Sequence, residues 1–339
     1  MKKRVAVIGT GSWGTALAIL LYNNGHDVRM WSYSESEARS INTAKENVDF
    51  LPGVSIPDDM LVTIDRAAVL AAADAIVFSV PSAFVRETVQ GFAPYLATCH
   101  ALIVNVSKGF DEEKMQRLSE VIAEYAPCCK VVALSGPSHA EEVSRGVPTT
   151  CVAASEDEAA ARQAQDLFMS SVFRVYTSTD LIGVELGGAL KNVIALVAGI
   201  SDGLGYGDNT KAAIMTRGMA EIARLGVAMG ANPATFAGLS GVGDLIVTCT
   251  SMHSRNRRAG ILIGQGAALA DALKEIRMAV EGVNTVKVVV RLAAVYRVEM
   301  PICELVYHVL YEGKDIHTGV FELMNRDKRT EEESSLNFI

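Results

Sequence analysis

One lysine, Lys191, stands near the middle of an otherwise apolar helical pattern spanning residues 185–199. Taking an ammonium out of water is costly unless it is paired, so a lysine in such a place has a task or a partner. Snorkelling of its stem toward solvent is the competing reading, and apolar neighbours on both sides argue against it. Burial and a nearby cation would bring its pKa down toward the working pH, where protons pass efficiently in both directions. A hydride-transfer reaction needs such a group at the carbonyl oxygen, to give a proton as hydride arrives and take it back in reverse.

Lys108 is the candidate second cation. It follows the apolar run Leu102-Ile103-Val104-Asn105-Val106 within Ser107-Lys108-Gly109, where a buried strand opens into a cleft. Asp244, in Gly241-Val242-Gly243-Asp244-Leu245, could orient Lys191 or accept a substrate hydroxyl, with helix N-capping as its plainer alternative. Ser254-Arg255-Asn256 forms a compact anion-binding set, because guanidinium grips phosphate bidentately and its neighbours add neutral donors. The adjoining Arg257 and Arg258 read as a solvated helix start, and His139 as a packing or hydrogen-bonding residue.

Gly9-Thr10-Gly11-Ser12-Trp13-Gly14 joins a strand-like run to an apolar helix pattern. In that context the first glycine permits a tight turn, the second lets backbone approach a pyrophosphate, and the third lets the helix pack on the strand. The helix N-terminus then offers N–H groups and a positive dipole end to the phosphates. A dinucleotide is therefore expected here. An acid that would hold the ribose 2′-hydroxyl is missing from its usual place, since the second strand ends in Trp31-Ser32-Tyr33-Ser34 with Glu35 and Glu37 slightly beyond. No arginine replaces it, and the choice between NAD and NADP stays open.

These residues need a scaffold, and the chain supplies two. Short apolar runs at 4–8, 28–31, 75–80, 101–106, 130–134, 150–153 and 173–176 alternate with helical patterns such as 12–23, 113–124 and 157–169. That alternation predicts a Rossmann-type, doubly wound α/β domain with a largely parallel sheet over residues 1–179. Strand ends at Ser79-Val80-Pro81-Ser82, Ser107-Lys108-Gly109 and Ser135-Gly136-Pro137-Ser138 should share its ligand-binding edge. From 180 to 325 long helical patterns rich in Ala, Leu, Met and Gly predict an all-α domain, followed by a mobile tail at 326–339.

A net charge of -8 argues against a nucleic-acid or anionic-membrane surface, either of which needs a broad basic face. The six cysteines contain no CxxC pair and no histidine at zinc-ligand spacing, so they read as reduced thiols and no metal is expected. The charged and apolar start imitates a signal peptide, but Gly9, Gly11 and Gly14 interrupt it and Tyr22-Asn23-Asn24 closes it early. A cytoplasmic protein is expected.

The motifs, taken together, resemble bacterial-type NAD(P)-dependent glycerol-3-phosphate dehydrogenases. The resemblance rests on the glycine motif through Ala18, Ser107-Lys108-Gly109, Ser135-Gly136-Pro137-Ser138, Gly188-Ala189-Leu190-Lys191-Asn192, residues 203–217, Gly243-Asp244-Leu245 and Ser254-Arg255-Asn256-Arg257-Arg258. It implies a two-domain, usually dimeric enzyme that interconverts dihydroxyacetone phosphate and sn-glycerol 3-phosphate for phospholipid synthesis. It also implies that Lys191 is the proton donor and acceptor, with Lys108 and Asp244 beside it. Lys108, Gly136, Ser138, Lys191, Asp244, Ser254, Arg255 and Asn256 are then the substrate pocket, Lys108 and Arg255 also reaching the cofactor. Ser12, Trp13, Tyr33, Ala140, Ala279 and Glu281 would be further cofactor contacts, and Tyr33 stands where many members carry a basic residue. Two rivals remain. A hydroxyacid or phosphogluconate dehydrogenase would place its asparagine a helical turn after the lysine, whereas Asn192 is adjacent; a non-catalytic nucleotide sensor would have no need of Lys108, Lys191 and Arg255 together.

Overall fold

The computed structural model describes residues 2–328 and 330–331. They divide into two compact units, one of residues 2–107 and 118–181, the other of 108–117 and the described residues from 182 onward.

Runs apolar at consecutive positions form strands covered on both faces. In β1 (Arg4–Ile8), Val5 and Val7 enter one core while Ala6 and Ile8 enter another on the opposite side. The remaining strands of the same sheet are β2 (Asp27–Trp31), β3 (Leu61–Thr63), β4 (Ala75–Phe78), β5 (Leu102–Asn105), β6 (Val131–Ser135), β7 (Thr149–Ala154) and β8 (Phe173–Ser178). Their order is β8-β7-β6-β5-β4-β1-β2-β3. Every pair is parallel except β6 with β7. This is the doubly wound arrangement, reversing direction at β1 and β4, and the carboxyl ends of β1, β4, β5 and β6 share one edge.

Three features depart from the sequence-based expectation. β3 and a small hairpin, Glu46–Asn47 with Leu51–Ser55, were not anticipated, being too short to carry a readable period. The antiparallel pairing of β7 was not anticipated either. The helix expected over 113–124 begins at Leu118, because Phe110–Asp111 pairs with Gln116–Arg117 across a turn in which Met115 has φ +55° and the Asp111 carboxylate accepts from the Lys114 N–H. That hairpin belongs to the second unit. Phe110 is buried in its core, Glu112 is held by Lys287 and by Arg291, and Arg117 pairs with Glu185 at 2.8 Å.

Among the described residues, the second unit is helical apart from that hairpin. Its central helix, α2 (Leu181–Gly203, with α1 being Ser12–Asn23), is apolar on nearly all sides and long enough to cross a membrane, but its apolar stretch is mostly buried among other helices. α2 meets a later helix, Arg255–Gly264, backbone against backbone. A Cβ on Gly199 would lie 2.0 Å from the Arg257 carbonyl oxygen, and one on Gly260 would lie 2.1 Å from that of Leu196. The crossing fixes the start of the later helix beside Asn192, one residue beyond Lys191. All six cysteines are free thiols. At the expected tail, Arg326 pairs with Glu299 at 3.1 Å, while residues 329 and 332–339 lie outside the described residues.

Candidate active site

Lys191 lies on α2 with only 7% of its surface exposed, as its apolar neighbours demand. Its Nζ donates to Asp244 Oδ1 at 2.6 Å and to Thr248 Oγ1 at 2.8 Å. Lys108 Nζ donates to the other oxygen, Oδ2, at 2.6 Å. One carboxylate, itself 1% exposed, therefore bridges two ammonium groups that are 83 residues apart in the chain. Asp244 is the first residue of the helix Asp244–Thr250 rather than its cap, so its side chain is directed to the lysines and not to the helix's own N–H groups. Thr248, one turn on, donates to the Asp244 carbonyl at 2.6 Å, which turns an oxygen lone pair toward Lys191. Sequence reasoning assigned Thr248 no role. Its spacing of four from Asp244 on a helix was the available signal.

Burial is the largest influence on Lys191. Aided by the Lys108 ammonium and opposed by the Asp244 carboxylate, it lowers the amine from its ordinary value to about 8. For Asp244, burial alone would push the carboxyl up, but the two ammonium groups overcome it and hold the carboxyl below the usual range. The result is a permanent carboxylate beside an amine that titrates near physiological pH.

A second polar chain runs alongside. Asn256 Nδ2 donates to Asn192 Oδ1 at 3.0 Å, and Asn256 Oδ1 accepts from the Gly282 N–H at 2.8 Å, at the start of the helix Glu281–Tyr296. Ser254 is buried and caps the Arg255–Gly264 helix by accepting from the Arg257 N–H. Arg255, half-buried, is the first residue of that helix; Ala279 and Glu281, also half-buried, flank the start of Glu281–Tyr296. Arg257 is not the solvated residue the sequence suggested. Its guanidinium binds Asp202 through Nε at 2.9 Å and Nη2 at 2.8 Å, because the glycine crossing brings the two helices together there.

In the first unit, Gly9 has φ +115°, and a Cβ on it would sit 2.4 Å from the Ser79 carbonyl oxygen; a Cβ on Gly14 would strike the Gly9 carbonyl oxygen at 2.2 Å. A Cβ on Gly11 would meet nothing within 4 Å. Two glycines are thus demanded by packing, and the third opens onto space. No side chain caps the N-terminus of α1. This turn suits a pyrophosphate, since it leaves both the approach and the donors available. Ser12 is buried, Trp13 packs on the core below, and Tyr33 is 83% exposed beyond β2. At the end of β2, Glu37 reaches back to accept from Ser32 Oγ at 2.5 Å, so a carboxylate does stand at this strand end, delivered by the following helix. After β6, Gly136 has φ +142°, Ser138 Oγ donates to its carbonyl at 3.0 Å, and Ala140 is buried at the start of a one-turn helix that follows His139. Ser107 Oγ donates to the Val80 carbonyl at 2.6 Å and joins two of the strand ends.

Asn47 was missed altogether. It is 2% exposed, and its Nδ2 donates to the Thr10 carbonyl at 2.6 Å and to Thr15 Oγ1 at 2.9 Å, pinning the glycine turn from beneath. A lone asparagine in a short hairpin carries no sequence signal. Asn47→Ala leaves the Thr10 carbonyl without this donor, and we expect the dissociation constant for the dinucleotide to rise about tenfold, as for loss of a buried hydrogen bond of about 1–2 kcal/mol. Fluorescence titration with NADH measures it.

The glycine turn and the Lys108–Asp244–Lys191 cluster invite comparison with known dehydrogenases. Residues 4–161 match the model of the NAD-dependent glycerol-3-phosphate dehydrogenase N-terminus, and residues 180–320 match that of its C-terminus. The chain belongs to the NAD-dependent glycerol-3-phosphate dehydrogenase family. Among members of this family, the glycerol-3-phosphate dehydrogenase [NAD(P)+] of Pelotomaculum thermopropionicum is 56% identical, over 98% of this chain and 96% of its own. The protein of that name from Enterococcus faecalis is 53% identical over the whole of both chains. The structure of glycerol-3-phosphate dehydrogenase from Coxiella burnetii superposes with a TM-score of 0.92 at 36% identity, covering 96% of this chain and 99% of that one.

Proposed function

We propose that the chain catalyses the reversible, NAD(P)H-dependent reduction of dihydroxyacetone phosphate to sn-glycerol 3-phosphate. The observation that carries this reading is the buried Lys191 amine, held between Asp244 and Thr248 and lowered to about 8. Bound at the glycine turn, the reduced nicotinamide dinucleotide supplies the hydride that adds to C2 of the substrate. Lys191 gives a proton to the oxygen of that carbonyl. Of its three N–H bonds, one goes to Asp244 and one to Thr248, and the third has no partner among the described residues, which suits it to a substrate oxygen. Lys108 adds positive charge where the alkoxide develops, and Asp244 keeps both amines in place. In glycerol 3-phosphate oxidation the neutral Lys191 takes the hydroxyl proton as hydride leaves C2.

Arg255, Ser254 and Asn256 hold the substrate phosphate, and Gly136 and Ser138 keep the substrate-binding role that the family resemblance gives them. Ser12, Trp13, Tyr33, Ala140, Ala279 and Glu281 contact the cofactor, which Lys108 and Arg255 also reach. A cytoplasmic homodimer that feeds glycerophospholipid synthesis is part of the same proposal.

The test is turnover. Purified protein mixed with dihydroxyacetone phosphate should consume NADH or NADPH, and the two rates rank the cofactors. A protein that binds either cofactor but leaves dihydroxyacetone phosphate untouched, while reducing a keto acid, would sink the substrate assignment.

A further inference from the structure

The mechanism uses none of the six cysteines, yet two of them meet. Cys99 lies on the turn between the helix Val85–Leu96 and β5, where its N–H donates to the Leu96 carbonyl. Cys129 lies on the turn between the helix Leu118–Tyr125 and β6, where its N–H donates to the Ala126 carbonyl. β5 and β6 are parallel neighbours with Ile103 opposite Val131, so the same register carried back two residues sets Ala101 beside Cys129. Both sulfurs are gathered at that point. Cys99 Sγ accepts from the Ala101 N–H at 3.4 Å, and Cys129 Sγ donates to the Cys99 carbonyl at 3.1 Å. The Cys129 sulfur therefore lies against the backbone of Cys99 itself, on the residue whose own sulfur turns back toward Ala101.

We propose that Cys99 and Cys129 form a thiol–disulfide exchange site, which a small-molecule disulfide converts to an intramolecular cross-link between the two turns. The thiolate of Cys99 attacks one sulfur of the reagent RSSR, forming a mixed disulfide and expelling RS⁻. Cys129 then loses its proton to solvent and attacks the Cys99 sulfur, forming the Cys99–Cys129 bond and expelling the second RS⁻. Two protein thiols are oxidised and one RSSR is reduced to two thiols. Burial first, and then the Cys99 sulfur, push the Cys129 thiol up to about 12, which leaves Cys129 a poor first attacker and slows the closing step. Exposed Cys128, next in the chain, is the rival acceptor.

The cross-link would lie at the amino ends of β5 and β6, whereas the glycine turn follows the carboxyl end of β1. Turnover should therefore stay within twofold of the reduced enzyme. The unfolding temperature should rise by several degrees, since a loop of about 30 residues is closed in the unfolded chain.

The experiment treats the intact protein with excess oxidised glutathione, caps remaining thiols, and digests it with trypsin without reductant. Residues 87–108 carry Cys99, and residues 118–130 carry Cys128 and Cys129. We expect these two peptides joined, two hydrogens lighter than their sum, separable by dithiothreitol, and still joined in Cys128→Ser. Cys129→Ser should lose the link and leave glutathione on Cys99. Glutathione on Cys128 alone, a link that vanishes in Cys128→Ser, or a link between two chains would each overturn the proposal.

Discussion

Lys191→Ala will lower kcat for dihydroxyacetone phosphate reduction about 10³-fold, the middle of the range that a positioned proton donor contributes. The fold should survive the change. Asp244 keeps Lys108 on its second oxygen at 2.6 Å, so the buried carboxylate is not left without a cation. Cofactor affinity should barely move, because Lys191 is not among the residues assigned to the cofactor. The pH dependence gives a second readout. Reduction consumes the ammonium form of Lys191, so its rate should fall as pH rises through about 8, and oxidation needs the free amine, so its rate should climb through the same pH. Both limbs should vanish in Lys191→Ala, and a small primary amine in the buffer should restore part of the rate. Steady-state kinetics in both directions across pH measures all of this; a variant that keeps the limb near 8 would show that another group moves the proton.

Asp244→Asn should damage both chemistry and stability. The wild-type carboxylate, 1% exposed, is the shared partner of two ammonium groups, and removing one member of a buried ion pair costs about 3–5 kcal/mol. At roughly 2–4 °C per kcal/mol for a unit of this size, the melting temperature should fall by about 10 °C. The sign with pH follows from the lysine. Asp244 raises the Lys191 pKa, so without it the amine loses its proton at lower pH than in the wild type. The loss of stability should therefore be greatest where the wild-type Asp244 is ionised and Lys191 is charged, should shrink as pH rises past the lowered Lys191 value, and should shrink again in acid as the wild-type carboxyl takes up its proton. The reduction limb should move to lower pH as well. Thermal melts and kcat profiles over the same buffers test both, and an unmoved limb would mean that Asp244 does not set the proton affinity of Lys191.

Much of this architecture was legible in the residues. The glycine turn was identifiable because each glycine has a separate steric reason, and β1 and α1 stand at the residues their patterns indicate. Lys191 was identifiable because an ammonium among apolar residues is costly. The adjacent arginines were harder: Arg255 and Arg257 look alike in sequence, but the helix crossing at Gly199 and Gly260 gives Arg257 to Asp202. The segment 108–117 read as a continuation of the α/β domain, since its membership depends on distant partners such as Lys287 and Glu185.

The sequence by itself determined the two architectures, the glycine turn and the presence of a buried amine at Lys191, because these follow from local periodicity, local sterics and the cost of burying charge. Tertiary structure alone decided that Lys108 and Lys191 share one carboxylate, that Thr248 completes the amine's cradle, that Asn47 fastens the glycine turn, and that Cys99 meets Cys129. Those are contacts between residues tens of positions apart. A hydrogen bond of that kind depends on where two elements are placed by their packing, which no local pattern of side chains encodes.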